Sequence, residues 1–166
     1  TGAVEATELG RGVHQQLSWV GERIAATRSG ARTPLQIVVH DLSAETRTVV
    51  ACSAPSTWDS VTIDEPEPVA WSAGDGSVIP GRLHRAPEPT HRLICLLHGG
   101  PTSQAQVSFA PRIAYWTSRG WNVLVPDFRG TTGHGRAHQQ AMRHGWGVVD
   151  GDDTIASGPG PDSIAA

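Results

Sequence analysis

Leu93-Ile94-Cys95-Leu96-Leu97 runs without interruption into His98-Gly99-Gly100-Pro101. Five consecutive apolar residues closed by a glycine-proline turn are too short for a buried helix. They read as a β-strand covered on both faces, the pattern of a parallel sheet. A parallel strand needs a crossover and a parallel neighbour. The residues that follow supply candidates for both: Phe109, Ile113 and Trp116, with Ala110 and Ala114, have helical spacing up to Gly120, and Trp121 to Pro126 is a second apolar run. The expectation is therefore an α/β unit whose first strand delivers a glycine corner.

Upstream the pattern changes. Val13–Val20, Arg23–Arg28, Leu35–His40 and Thr46–Cys52 are short β-like runs separated by Gly21-Glu22, Ser29-Gly30 and Asp41–Glu45. Strands so short and so evenly spaced predict an antiparallel meander, of the kind that forms one blade of a propeller. Residues 54–68 hold Pro55, Pro66 and Pro68 among four acidic residues and read as an extended crossing. Glu67–Trp71, the Gly74-Asp75-Gly76 tip and Ser77–Arg85 predict a hairpin.

Beyond the second apolar run, Asp127 to Gly135 carries Gly130, Gly133 and Gly135, too many for regular structure. Arg136 to His144 reads as helical, and Asp150, Asp152 and Asp153 suit the first turn of another helix. Ser157-Gly158-Pro159-Gly160-Pro161 ends that helix, and residues 157–166 read as a disordered tail.

Composition removes several functional classes. The formal net charge is −3, and the 13 basic residues, all arginine, are dispersed, so there is no footprint for nucleic acid or an anionic membrane. No apolar run is long enough to span a bilayer and no leader opens the chain, which leads to a cytoplasmic expectation. Cys52 and Cys95 lie in apolar β-like settings and read first as buried free thiols and second as a disulfide pair. The chain opens on Thr1 and its only methionine is Met142, which reads as truncation.

His98-Gly99-Gly100-Pro101, Arg119-Gly120-Trp121, Asp127-Phe128-Arg129-Gly130-Thr131-Thr132-Gly133-His134-Gly135, and Trp146-Gly147 with Asp150 and Asp153 stand in that order along the chain. Together they resemble the prolyl oligopeptidase family of serine peptidases, most of all its acylaminoacyl-peptidase-like and dipeptidyl-aminopeptidase-like branches. The resemblance implies an α/β class chain, a partial α/β-hydrolase sheet preceded by antiparallel strands of a last β-propeller blade. On that layout residues 1–58 are the blade, 59–92 a linker and the hairpin leading into the hydrolase, and 93–156 the first part of the peptidase domain.

The same resemblance implies acyl transfer to water through an acyl-enzyme, with short peptides or acyl-peptides as substrate and no cofactor. Gly99 and Gly100 are then oxyanion-hole candidates. The family's Gly-x-Ser-x-Gly elbow has no counterpart: Ser118, Ser157 and Ser163 all lack the flanking glycines. The catalytic Ser, Asp and His are thus expected to be absent, and the chain inactive by itself. A non-catalytic module that binds or regulates, or a fragment of an esterase, are the rival readings.

His98 precedes any nucleophile, whereas the base histidine of this fold follows it, so His98 is expected to brace the loop. Arg129 reads as a loop brace acting on backbone carbonyls, or as a contact for a substrate carboxylate. Gly130, Gly133 and Gly135 support the same loop. His134 and His138 share a helical face but lack the glutamate of a zinc-peptidase motif, and no metal site is expected. The tryptophans read as core and packing residues.

Overall fold

The computed structural model describes residues 9–56, 58, 63–100 and 102–158. The chain divides into two compact units, one of residues 1–63 with 107–109, the other of 64–106 with 110–166. Pro101, most of the crossing at 57–62 and the tail from Pro159 lie outside the described residues.

The first unit is a four-stranded antiparallel meander in the order β1-β2-β3-β4: Val13–Val20, Arg23–Gly30, Thr33–Asp41 and Thr46–Cys52. The β1–β2 and β3–β4 turns fall where the sequence placed them, whereas the β2–β3 turn lies at Ala31-Arg32, two residues beyond Ser29-Gly30, which stay in β2. Gly21, at φ 59°, takes the left-handed backbone of the β1–β2 turn. The β3–β4 turn is closed by Asp41, whose carboxylate accepts from the Ala44 N–H at 3.1 Å and the Ser43 hydroxyl at 2.7 Å. A bulge between Gln15 and Ser18 shifts the β1–β2 register. Ile24, Ala26 and Val38 are buried, whereas Leu17, Trp19, Val20, Ile37 and Val50 remain exposed. Phe109 belongs to this unit as well: its N–H donates to the Ser29 hydroxyl at 3.0 Å and its ring meets Trp58 edge-on.

The second unit is a mixed sheet ordered β5-β6-β8-β7 with three short helices. Strands β5 (Glu67–Ser72) and β6 (Val78–His84) form the hairpin, its tip held by the Ser77 N–H on the Asp75 carboxylate at 2.9 Å. Strand β6 pairs antiparallel with β8 (Asn122–Pro126), and β8 pairs in parallel with β7 (Leu93–Cys95). Helix α1 (Pro111–Thr117) is the crossover, opening on proline and ending ahead of Gly120 at φ 77°. Helices α2 (Arg136–Gln140) and α3 (Val149–Ile155) follow. The helical reading of 136–144 overran: glycines at 145 and 147 and a left-handed His144 leave turns after Gln140.

Every residue of β8 is buried: Val123–Pro126 is an apolar run, and the Asn122 amide accepts from the Ala86 N–H and donates to the Thr90 carbonyl, both at 2.9 Å. The core consists of Val69, Trp71, Ala73, Ile79, Leu83 and Leu124, with Leu93 and Ala156 against it. Strand β7 corrects the opening expectation. It is three residues long, lies at the sheet's edge, and leaves Cys95 exposed rather than covered on both faces. The reason is topological: among the described strands, β8 is its single partner. Five apolar residues report a preference for burial, but whether a second neighbouring strand exists is decided elsewhere in the chain. Cys52, on the wholly exposed β4, is a second correction; both thiols are free and neither is buried.

Leu83 is fully buried, so Leu83→Ala should cost about 2–5 kcal/mol. A Cβ at Gly81 would stand 2.8 Å from Trp71 Cζ3 and 3.2 Å from the Val125 carbonyl. Gly81→Ala should therefore cost about 1–3 kcal/mol through overpacking. Urea midpoints by far-UV circular dichroism check both values.

Candidate active-site corner

The carboxyl ends of β7 and β8 carry the two glycine-rich segments, side by side because the strands are parallel. After β7, the Leu96 N–H still donates to the Leu124 carbonyl at 2.8 Å, and the chain then turns at Gly99 and Gly100. Gly100 adopts φ 68°, a conformation that glycine takes without the steric cost other residues bear. Both glycines are exposed and nothing lies within 4 Å of where a Cβ would stand on either.

His98 is turned into the neighbouring segment. Its Nε2 lies 2.8 Å from the hydroxyl of Thr131, which is fully buried, and its ring stacks on Phe128 at 4.5 Å. The ring thereby ties the corner after β7 to the loop after β8.

That loop, residues 127–135, is held at its start by ion pairs of Asp127 and Arg129. Asp127, 5% exposed, accepts from Arg82 Nη2 at 2.7 Å and faces His134 Nε2 at 3.0 Å. Arg82 also donates to the Ala105 carbonyl, which draws the segment after the first corner toward β6. His138 Nε2 lies 3.0 Å from the carbonyls of both Asp127 and Phe128. The two histidines that share a helical face are thus each engaged with the loop, and no group of three metal-ligating side chains occurs among the described residues.

Arg129 is the centre of the second network. Its Nη2 and Nε meet Asp153 Oδ1 at 2.6 and 3.0 Å, and its backbone N–H donates to Asp153 Oδ2 at 2.8 Å. Its Nη1 reaches Asp75 Oδ2 at 2.6 Å. The guanidinium is therefore occupied by carboxylates of this chain, where backbone carbonyls had been expected. The buried Asp153 had been grouped with Asp150 and Asp152 as helix-start charge, and sequence reading missed its pairing. One signal was present: three residues from Asp150 on a short helix, Asp153 shares its face and can turn inward. The Asp153 hydrogen bonds hold Arg129 above its usual range, with burial opposing. The Ser77 N–H and hydroxyl, then Arg129, hold Asp75 at about 2.

The loop glycines have separate reasons. Gly130, at φ 105°, leaves no room for a Cβ, which would stand 2.8 Å from Met142 Sδ. Gly133, at φ 95°, lets Gln104 pack where a Cβ would collide. Gly135 is open and precedes α2. Beside the loop a cleft of about 390 Å³ is lined by Thr102, Arg136, Gln139, Gln140, Met142, Arg143 and Trp146. Of the tryptophans, Trp71 is core while Trp19 and Trp146 stand exposed, so packing accounts for only part of the set.

Residues 107–158 match the family model described as the prolyl oligopeptidase family. The resemblance is to the prolyl oligopeptidase family. Dipeptidyl peptidase family member 6 of Caenorhabditis elegans is 37% identical over 73 residues, 44% of this chain and 10% of its own length. The acylamino-acid-releasing enzyme of Arabidopsis thaliana is 36% identical over 63 residues, 38% of this chain and 8% of its own. A puromycin-hydrolyzing peptidase of Mycobacterium tuberculosis superposes with a TM-score of 0.77 at 26% identity, covering 86% of this chain and 23% of that one. An acylaminoacyl peptidase of Pyrococcus horikoshii superposes at 0.72 with 17% identity, over 90% of this chain and 24% of that one, a likeness of fold. The chain thus spans about a tenth of these curated relatives and about a quarter of these structures. Among the described residues, no helix is long and apolar enough to cross a membrane.

With Arg129 16% and Asp153 0% exposed at the side chain, Arg129→Met leaves a buried carboxylate unpaired and should cost about 3–5 kcal/mol in urea unfolding. Asp75 is depressed from 3.8, so its stabilising contribution is complete above that value and lost as pH falls toward about 2. Ser77→Ala removes the hydroxyl but keeps the N–H. An NMR titration should then place Asp75 above its wild-type value and still below 3.8.

Proposed function

We propose that this chain is the segment of a prolyl oligopeptidase family serine peptidase that runs from the last propeller blade into the first strands of the hydrolase domain. The reaction of the whole enzyme is hydrolysis of peptide bonds in short peptides or acyl-peptides through an acyl-enzyme. Its oxyanion would be held at the Gly99–Gly100 corner by backbone N–H donors, each of which is worth about 3–4 kcal/mol in such sites. The family match over residues 107–158, which contain the Arg129 loop and α3, carries this reading. The first unit supports the blade assignment by its four-stranded meander with apolar side chains exposed, as in a repeat that needs neighbours.

On this reading His98 and Arg129 are positioning residues, joined by Gly130, Gly133 and Gly135. His98 locks the corner to Phe128 and Thr131, and Arg129 locks the loop to α3. The cleft beside Thr102, with Arg136 and Arg143 in its wall, is where the acyl side of a peptide would lie. The nucleophile is not supplied by these 166 residues, since no serine stands in a Gly-x-Ser-x-Gly sequence. The rival reading is a non-catalytic module docking on an intact relative.

A fluorophosphonate probe should leave the chain unlabelled, and covalent labelling would overturn the assignment of a missing nucleophile. The DNA after codon 166 separates the two readings. An in-frame Gly-x-Ser-x-Gly is expected of a peptidase segment, whereas a stop followed by an unrelated gene favours the docking module.

A further inference from the structure

Four basic side chains meet on one face of the first unit's sheet. His14 stands opposite Arg28 across β1 and β2, His40 opposite Ile24 across β2 and β3, and Arg47 opposite His40 across β3 and β4. Ile24, Ala26 and Arg28 alternate onto the same face of β2, so all four basic groups project on one side. Ala26, small and buried, leaves room above it for the two imidazoles, whose centroids are 5.5 Å apart. Arg28 is steadied from that side, its Nε and Nη2 donating to the Arg11 carbonyl at 3.0 and 2.7 Å.

This cluster lacks compensation. His40 is 6% exposed, and Nε2 of both histidines is buried without a hydrogen-bond partner. A buried polar nitrogen left unmatched is destabilising, and here there are two within one cluster. Burial and Arg47 both push Arg28 down from its ordinary range. His40 is pushed down by burial first, then by His14, Arg47 and Arg28. Among the described residues no carboxylate offsets these effects. Asp41, next along β3, alternates to the opposite face and pairs there with Arg23 at 3.2 Å. Arg47 is exposed, which gives a small solute a route in from the β4 side. Two guanidinium groups beside two imidazoles repel a metal cation and attract an anion.

We propose that His14, Arg28, His40 and Arg47 form a binding site for a small oxyanion, a carboxylate or a phosphate group. The anion supplies the missing acceptor for both imidazole nitrogens and the missing charge for both guanidinium groups. It favours the protonated form of His40, which burial and its basic neighbours disfavour in the free chain, so binding takes up a proton and weakens as pH rises. This site is independent of the Gly99–Gly100 corner and of any peptidase assignment.

The test is a titration of the full 166-residue chain with inorganic phosphate and, separately, with N-acetylglycine, following histidine side-chain NMR signals. Saturable shifts at His14 and His40 are expected, with affinity severalfold tighter at pH 5.5 than at pH 7.5. Arg47→Gln, at an exposed position, should weaken binding about tenfold, the loss of one charge-assisted contact. Arg23→Gln, on the other face, should leave it unchanged. Saturation by phosphate alone identifies a free phosphate ligand, and saturation by N-acetylglycine alone identifies a peptide carboxylate; either supports the site. Absence of saturation by both anions, or equal affinity in Arg47→Gln, overturns it. Failure of the peptidase reading would appear in the probe and gene-sequence experiments and leave this titration untouched.

Discussion

Asp153 joins three segments of the second unit at one point. Its carboxylate takes the Arg129 side chain and backbone N–H, and its carbonyl accepts the Trp71 indole N–H at 2.7 Å. One residue of a seven-residue helix thus fixes the loop after β8 and the β5 strand of the hairpin. A carboxylate without exposed surface is costly to place there, and the bidentate guanidinium with its added backbone donor is what makes it tolerable. So short a helix has little stability of its own, and its position is inherited from this contact.

Much of the architecture was legible because it rests on local chemistry. Strands β1–β6 and β8 follow alternation or unbroken apolar runs, and their turns follow glycine and aspartate, whose backbone preferences act over two or three residues. What failed was whatever depends on distant neighbours. Leu93–Leu97 has the composition of an interior strand, yet interior position is a property of the sheet's order, and β7 closes the row. Cys52 and Cys95 were misplaced for the same reason.

The candidate site divides along the same line. The glycines of the two corners were visible in the sequence because backbone conformation demands them. His98 and Arg129 were visible as supports, but their partners Thr131 and Asp153 lie 33 and 24 residues away, beyond the reach of spacing arguments. The two oppositely charged anchors of the loop, Asp127 to Arg82 and Arg129 to Asp153, alternate in sign two residues apart. The opposite signs cancel, so a net charge count of the loop hides both anchors.

The stacking of His98 on Phe128 has a mechanical consequence. Two turns separated by some thirty residues share one rigid joint, so the backbone amides after β7 have no orientation independent of the loop after β8. A force applied to either turn, by a bound molecule or by a packed neighbour, is transmitted to the other through an aromatic plate and one hydroxyl. The orientation of the amide corner therefore depends on Phe128 and Thr131, both of them buried.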